Sequence, residues 1–266
     1  MNILFFGDIV GAAAAEAVID AVPELRRAHA IDLTIANAEN CAPNGLGMTA
    51  KQADRLVDAG VDVITGGNHS WDSADSVAAL AHPRAVRPYN VADGVPGRGV
   101  VHVDVETAVG AEAVTVLNLA DRASMAHVRA TAGRYLHPFR SWAAAPRHGT
   151  VIVDYHGESV IEKQIFARAV DGEAAAVLGT HTHEPTIPLH LLPGGTGFVT
   201  DVGMTGPTGG VQGFAYEGFV DGLRTLGDPF AYALPTPRDG EIALGAVVLE
   251  VTGGRTTALR RLTEWP

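Results

Sequence analysis

The stretch Val61-Asp62-Val63-Ile64-Thr65-Gly66-Gly67-Asn68-His69-Ser70-Trp71-Asp72 is a β-branched apolar run, broken by two glycines and followed by Asn-His. β-Branched residues suit a pleated, buried surface, so Val61 to Thr65 reads as a short strand that the glycines end. Asn68 and His69 then fall at its carboxyl end, where open α/β sheets build their sites. Four other strand-like runs end the same way. Asp8 follows Asn2 to Gly7, Glu39-Asn40 follows Ile31 to Asn37, His156 follows Val151 to Tyr155, and His181-Thr182-His183 follows Ala174 to Gly179. Imidazoles, carboxylates and carboxamides are thereby delivered towards one sheet edge, the kind of set a two-metal hydrolase needs.

Outward from that stretch, the first third alternates strand and helix. Asn2 to Gly7 reads as a buried strand, and Ala12 to Ala28 as a helix in which Pro23 predicts a kink or break. Thr49 with Gln52 three residues on is a capping-box signal for a helix ending at Gly60. Strand, helix, strand, helix, strand implies right-handed crossovers and a parallel sheet. Ser73 to Leu80 reads as a short helix, and a brief strand precedes Arg87-Pro88-Tyr89-Asn90. Gly99 to Glu106 and Ala113 to Leu119 have no helix between them, so they read as a hairpin and make the sheet system mixed. Ser124 to Ala145 is weakly helical, Glu158 to Val170 and Phe214 to Leu226 read as helices, and Phe198 to Thr200 as a strand. Ile242 to Val251 with Thr256 to Leu262 reads as a closing antiparallel pair. At 266 residues, one α/β domain spanning 1–266 is expected.

The net charge of -11 argues against binding duplex nucleic acid or an anionic membrane, because both rely on Lys and Arg facing phosphates. A small phosphorylated substrate remains compatible if metal cations supply positive charge locally. The single Cys41 leaves no internal disulfide. No run approaches the roughly 20 apolar residues of a membrane span, and the N-terminus lacks a signal-peptide pattern, so a cytoplasmic protein is expected.

Each ligand candidate has an ordinary reading when taken alone. Asp8 suits a helix cap, Glu39-Asn40 a turn, Asn68 a Gly-rich turn and His156 a satisfied polar group at a sheet edge. Five strand ends carrying metal-type ligands, with no Lys or Arg among them, exceed what folding alone asks for. Carboxylates mixed with imidazoles and carboxamides suit iron or manganese first, with zinc also compatible, as two divalent or mixed-valence ions. Glu39 has two oxygens and is able to bridge ions about 3.5 to 4 Å apart, a pair that holds phosphate and lowers the pKa of a bound water to about 7.

Gly7-Asp8, Asn37-Ala38-Glu39-Asn40, Gly67-Asn68-His69-Ser70-Trp71-Asp72, His156-Gly157-Glu158 with Glu162-Lys163, Gly179-Thr180-His181-Thr182-His183, and Thr200-Asp201-Val202-Gly203-Met204-Thr205-Gly206-Pro207 occur in that order. The ordered set resembles the YmdB-like bacterial proteins of the calcineurin-like metallophosphoesterase superfamily. The resemblance runs from residue 1 to about 215. It implies an αββα sandwich of two mixed β-sheets flanked by helices, with a dinuclear site. One ion would be held by Asp8, Glu39 and His183, the other by Glu39, Asn68, His156 and His181, with Asn40 close enough to assist. His69 would be the general acid, and the implied reaction is hydrolysis of small phosphodiesters, notably 2',3'-cyclic nucleotides opened to 3'-nucleotides by metal-bound hydroxide.

The departures bear on the same chemistry. Val10 stands where the wider superfamily has a His, and Ser70 where it has a carboxylate after Asn-His, so Asp72 becomes the candidate to orient His69; it reads equally as a helix N-cap. Ala12 to Ala15 replace a Pro-Gly-Arg segment usual in the branch, which removes a phosphate contact. Arg122 is a candidate substrate contact, though it reads more readily as a surface Arg. A phosphomonoesterase or nucleotidase on the same site, or a metal- and nucleotide-binding regulatory protein with little turnover, are the alternatives. A homo-oligomer is compatible with all three.

Overall fold

The computed structural model describes residues 1–266. β1 (Asn2–Phe6) has alternate apolar side chains buried on both faces, Ile3 and Phe5 on one side and Leu4 and Phe6 on the other. α1 (Gly11–Ala28) continues unbroken through Pro23, so the expected break is absent. β2 (Leu33–Asn37) leads through the Asn40–Gly47 loop to α2 (Ala50–Asp58), which the Thr49–Gln52 capping box opens as its sequence predicts. β3 (Val63–Thr65) is followed by a 3-10 turn, Asn68–Trp71, and α3 (Ala74–Ala79). The cap of α3 is Ser73, whose hydroxyl accepts from the Ser76 amide at 3.0 Å, so Asp72 is not the N-cap. The brief strand before Arg87 reduces to a single bridge between Ala85 and Ile64.

β4 (Val100–Thr107) and β5 (Gly110–Ala120) form the expected hairpin. The weak helix expected over Ser124 to Ala145 is mostly turn. A 3-10 segment, Arg129–Thr131, precedes α4 (Pro138–Ala144), whose start is set by Pro138 in its first turn and by the His137 ring accepting from the Phe139 amide. Then follow β6 (Thr150–His156), α5 (Val160–Ala169), β7 (Ala176–Thr180), β8 (His190–Leu191), β9 (Gly197–Val199), β10 (Gly206–Pro207) and α6 (Glu217–Leu226). The strand expected over Ile242 to Val251 is divided. β11 (Ile242–Ala243) pairs with β10, whereas β12 (Ala246–Thr252) pairs antiparallel with both β1 and β13 (Arg255–Leu262).

The result is two mixed sheets, ordered β13-β12-β1-β2-β3 and β4-β5-β6-β7-β9-β8. Ile3, Phe5 and Ile35 of the first sheet pack against Val116, Ile152 and Leu178 of the second. The outer face of the first sheet is covered by α1 and α2 through Val18, Val22 and Leu56. The outer face of the second is covered by α4 and α5 through Trp142 and Phe166, which meet edge to face. This is the expected αββα sandwich. Parallel β1-β2-β3 and β5-β6-β7-β9 point their carboxyl ends the same way within each sheet, and those ends carry the site. No helix is long and apolar enough to cross a membrane.

Candidate metal centre

His156 closes β6, and its Nε2 is the point on which the strand ends converge. It lies 3.1 Å from Glu39 Oε1 after β2, 2.9 Å from Asn68 Oδ1 after β3, and 3.0 Å from His181 Nδ1 after β7. The ligand atoms of Glu39, His156 and His181 all lie within 4.8 Å of one another. Asp8, fully buried after β1, accepts from the His181 amide at 3.0 and 3.2 Å, and His183 Nε2 stands 3.9 Å from its Oδ1. Five strand ends distant in sequence therefore meet.

Hydrogen bonds behind this cluster select the tautomers. Thr180 donates its hydroxyl proton to Asp154 Oδ1 at 2.7 Å, so its oxygen accepts from His156 Nδ1 at 3.0 Å. Asp154 Oδ2 is held in turn by Asn37 Nδ2 at 3.0 Å and by the Thr65 hydroxyl. His183 Nδ1 donates to the Gln212 carbonyl at 2.9 Å, which turns Nε2 towards Asp8. His181 Nε2 faces Glu158 at 3.3 Å, which turns Nδ1 inward. A hydrogen-bonded far nitrogen is what orients imidazoles that ligate metal.

His156 Nε2 faces a carboxylate oxygen, a carboxamide oxygen and a second imidazole nitrogen, a set of acceptors that calls for positive charge at its centre. Two further observations fit an ion. Asn40 Oδ1 is buried with no hydrogen-bond partner, while Asn40 Nδ2 donates to the Gly45 carbonyl at 2.7 Å. A Cβ on Gly67 would lie 2.2 Å from Glu39 Oε2 and 2.3 Å from His156 Nε2, so only glycine leaves the cluster room.

A family model described as YmdB-like protein matches residues 4–262. The chain belongs to that family. It is 36% identical over 253 residues to the 2',3'-cyclic-nucleotide 2'-phosphodiesterase of Bacillus subtilis strain 168, covering 94% of this chain and 91% of that one. Among solved structures it is similar to a phosphatase from Mycoplasma pneumoniae, with TM-score 0.87 and 28% identity over 100% of this chain and 93% of that one. It is also similar to a hypothetical protein from Thermus thermophilus, with TM-score 0.84 and 33% identity over 97% of both. The metallophosphoesterase expected from the sequence is met by the YmdB-like family and by the phosphodiesterase and phosphatase among these relatives. Such a family implies divalent metal ions, for which the cluster around Glu39, His156 and His181 is a fitting place.

The electrostatics of the YmdB-like cluster are set by burial and mutual charge. Burial works against ionising Glu39, yet His156 beside it brings its carboxyl down to about 2. Burial likewise opposes charge on His156, but Glu39, Asp8 and Asp154 hold it up at about 9. His181 is pushed down to about 3, first by burial and then by His156. Positive charge is therefore favoured at the centre of the cluster and disfavoured on its second imidazole.

His181 and His183 have φ of +96° and +65°, a region that side chains other than glycine rarely adopt. Their loop is held by a buried pair. Lys163 Nζ donates to the Thr180 carbonyl at 2.7 Å and to Asp201 Oδ2 at 3.0 Å, and Asp201 also accepts from the Thr182 amide and hydroxyl. His69 stands beside the cluster, its amide donating to Glu39 Oε2 at 3.0 Å and its ring meeting Asp72. Arg122 is placed elsewhere. It lies over the Tyr135 ring and lines a different cavity with Tyr155 and Glu162, on the outer face of the second sheet.

The residues that sequence reasoning passed over are Asp154 and the backbone carbonyl of Gln212. Asp154 has a legible signal, since Ile152, Asp154 and His156 alternate onto one face of a buried strand, and a carboxylate there needs a partner. The Gln212 carbonyl has none, because it reaches His183 only through the folded loop.

Proposed function

We propose that this YmdB-like chain is a dinuclear metal-dependent phosphodiesterase that opens 2',3'-cyclic nucleotides to 3'-nucleotides. The observation that carries the reading is the convergence of Glu39, Asn68 and His181 on His156 Nε2 beside the Asp8–His183 pair. Asp8, Glu39 and His183 would hold one ion. Glu39, Asn68, His156 and His181 would hold the other, with Asn40 Oδ1 free to join. Such ions, when bound, supply positive charge against the phosphoryl oxygens and acidify a water to a pKa of about 7.

The protein's own part is positioning and proton transfer. His69 is half-buried at the edge of the cluster, and Asp72 binds its Nδ1, leaving Nε2 to face the substrate. As the bond between phosphorus and the 2'-oxygen breaks, the proton on His69 Nε2 passes to that oxygen, giving a 2'-hydroxyl and a 3'-phosphate. Arg122, turned to another cavity, has no part in this scheme.

The test is hydrolysis of 2',3'-cyclic AMP by protein loaded separately with Mn²⁺, Fe²⁺ or Zn²⁺, with metal content measured on the same samples. The expected result is 3'-AMP from protein holding about two ions per chain. Two bound ions with no turnover of the cyclic substrate, but with release of phosphate from 3'-AMP, would replace the diesterase by a phosphomonoesterase.

A further inference from the structure

The candidate metal centre forms only one end of its cavity. Glu39, Asn40, His69, His181 and His183 lie on the floor of a space of about 480 Å³. Its opposite wall comes from residues more than thirty positions beyond the last ligand: Phe219, Val220 and Leu223 of α6, then Phe230 and Leu234. Phe214 backs the wall from a buried position. Phe219 and Phe230 meet edge to face with centroids 6.1 Å apart, yet Phe230 is 75% exposed and Leu223 56%. These side chains are apolar surface left open directly above the ligand cluster.

We infer that this wall receives the base of the nucleotide whose phosphate sits on the floor, and that it recognises the base by stacking and apolar contact rather than by its hydrogen-bonding edge. The inference rests on the phosphodiesterase reading of the same floor. Three features favour this occupant. The wall is continuous with the floor, so one small molecule spans both. No Lys or Arg lines the cavity, so a second phosphate finds no counter-charge, which favours a mononucleotide over a nucleoside polyphosphate or an oligonucleotide. Gln212 is the polar side chain on the wall side, and its Nε2 is engaged by the Thr182 carbonyl at 3.2 Å. Aromatic walls that lack donors and acceptors bind every base, because every base has a π-face.

The experiment compares kcat and KM of the metal-loaded protein on the 2',3'-cyclic phosphates of adenosine, guanosine, cytidine and uridine, and on the 2',3'-cyclic phosphate of methyl riboside, which has no base. Expected is a KM for the base-free diester about tenfold or more above that for cyclic AMP, with kcat similar and the four nucleotides within about tenfold of one another. In Phe219→Ala and Phe230→Ala the ratio of the two KM values should fall towards one, while Phe219→Leu should keep part of it. A wild-type protein that cleaves the base-free diester as readily as cyclic AMP overturns the inference and leaves the metal centre standing. No cleavage of any cyclic diester overturns the phosphodiesterase reading itself. If the alanine variants keep the wild-type ratio but change from oligomer to monomer by light scattering, the wall covers a second copy of the chain and the inference fails.

Discussion

Asp72 Oδ2 lies 2.6 Å from His69 Nδ1, Asp72 being the residue that caps the C-terminus of the 3-10 turn on which His69 stands. The contact supplies what Ser70 does not, a carboxylate on the far nitrogen of the proposed acid. The pair also raises the pKa of His69: burial acts downward, but the Asp72 hydrogen bond and the Glu39 charge outweigh it. An imidazole kept protonated, with its Nδ1–H engaged by a carboxylate, is prepared to give its proton from Nε2.

Replacing His69 should separate catalysis from metal binding. His69→Ala is expected to keep metal content near that of wild type and to lower kcat on 2',3'-cyclic AMP by roughly two or more decades. Asp72→Asn should lower kcat by about one to two decades with little change in KM, since it disturbs only the orientation and charge of the ring. Elemental analysis beside steady-state kinetics checks both, and loss of metal in His69→Ala would make His69 a ligand.

Asp8→Ala and Glu39→Ala should lose metal. Both carboxylates are buried in the cluster, and alanine withdraws their oxygens from it. Equilibrium dialysis against Mn²⁺ should show metal affinity reduced at least about tenfold in each. Full occupancy in both variants would remove the proposed ligand set.

Asp154→Asn tests the support behind His156. The carboxylate accepts a hydrogen bond from the Thr180 hydroxyl, and with its proton so engaged the Thr180 oxygen accepts from His156 Nδ1. An amide in its place is free to donate to Thr180 instead, which no longer fixes the ring. Metal affinity should fall by about 10- to 100-fold with the fold intact by circular dichroism. Unchanged affinity would make the Asp154 network purely structural.

Gly67→Ala should fold and fail to load. A methyl group at this position would overlap both Glu39 and His156. The expected phenotype is a melting temperature within a few degrees of the metal-free wild-type protein and no stabilisation on adding Mn²⁺, measured by calorimetry. Ordinary metal-induced stabilisation in the variant would contradict the packing.

Lys163→Met should be strongly destabilising. Lys163 is 1% exposed and paired with Asp201, which is itself 2% exposed. Removing the cation leaves a buried carboxylate held only by neutral donors, a change that typically costs about 3–5 kcal/mol. Urea denaturation of the metal-free protein measures it, and a loss below about 1 kcal/mol would show that Asp201 is adequately satisfied without the lysine.

Much of this molecule was legible because its signals are local. Short apolar runs identify β1, β2, β3 and β6, Thr49 with Gln52 opens α2, and the uninterrupted pair of runs from 99 to 119 forms the β4–β5 hairpin. The misreadings occur where local signals are weak or compete. Pro23 is tolerated because α1 is packed against the first sheet through Val18, Val22 and Leu25, and that burial outweighs one lost backbone hydrogen bond. Ser124 to His137 has an apolar pattern but is mostly turn, with Met125 and Val128 packing beneath it. β10 and β11 are two residues each and exist only because their chains are brought side by side.

By itself, the sequence determined which residues end each strand, since alternation and glycine punctuation are properties of neighbouring positions. That was enough to nominate Asp8, Glu39, Asn40, Asn68, His156, His181 and His183 as one set. Only the tertiary structure decided how they face one another. It turns three lone pairs on His156 Nε2, backs His156 with Thr180 and Asp154, and bends His183 towards Asp8 through the Gln212 carbonyl. It also stands α6 and Phe230 over the cluster. These contacts join residues far apart in the chain, and apolar burial, which is blind to sequence separation, chooses among the many partners each residue could have met.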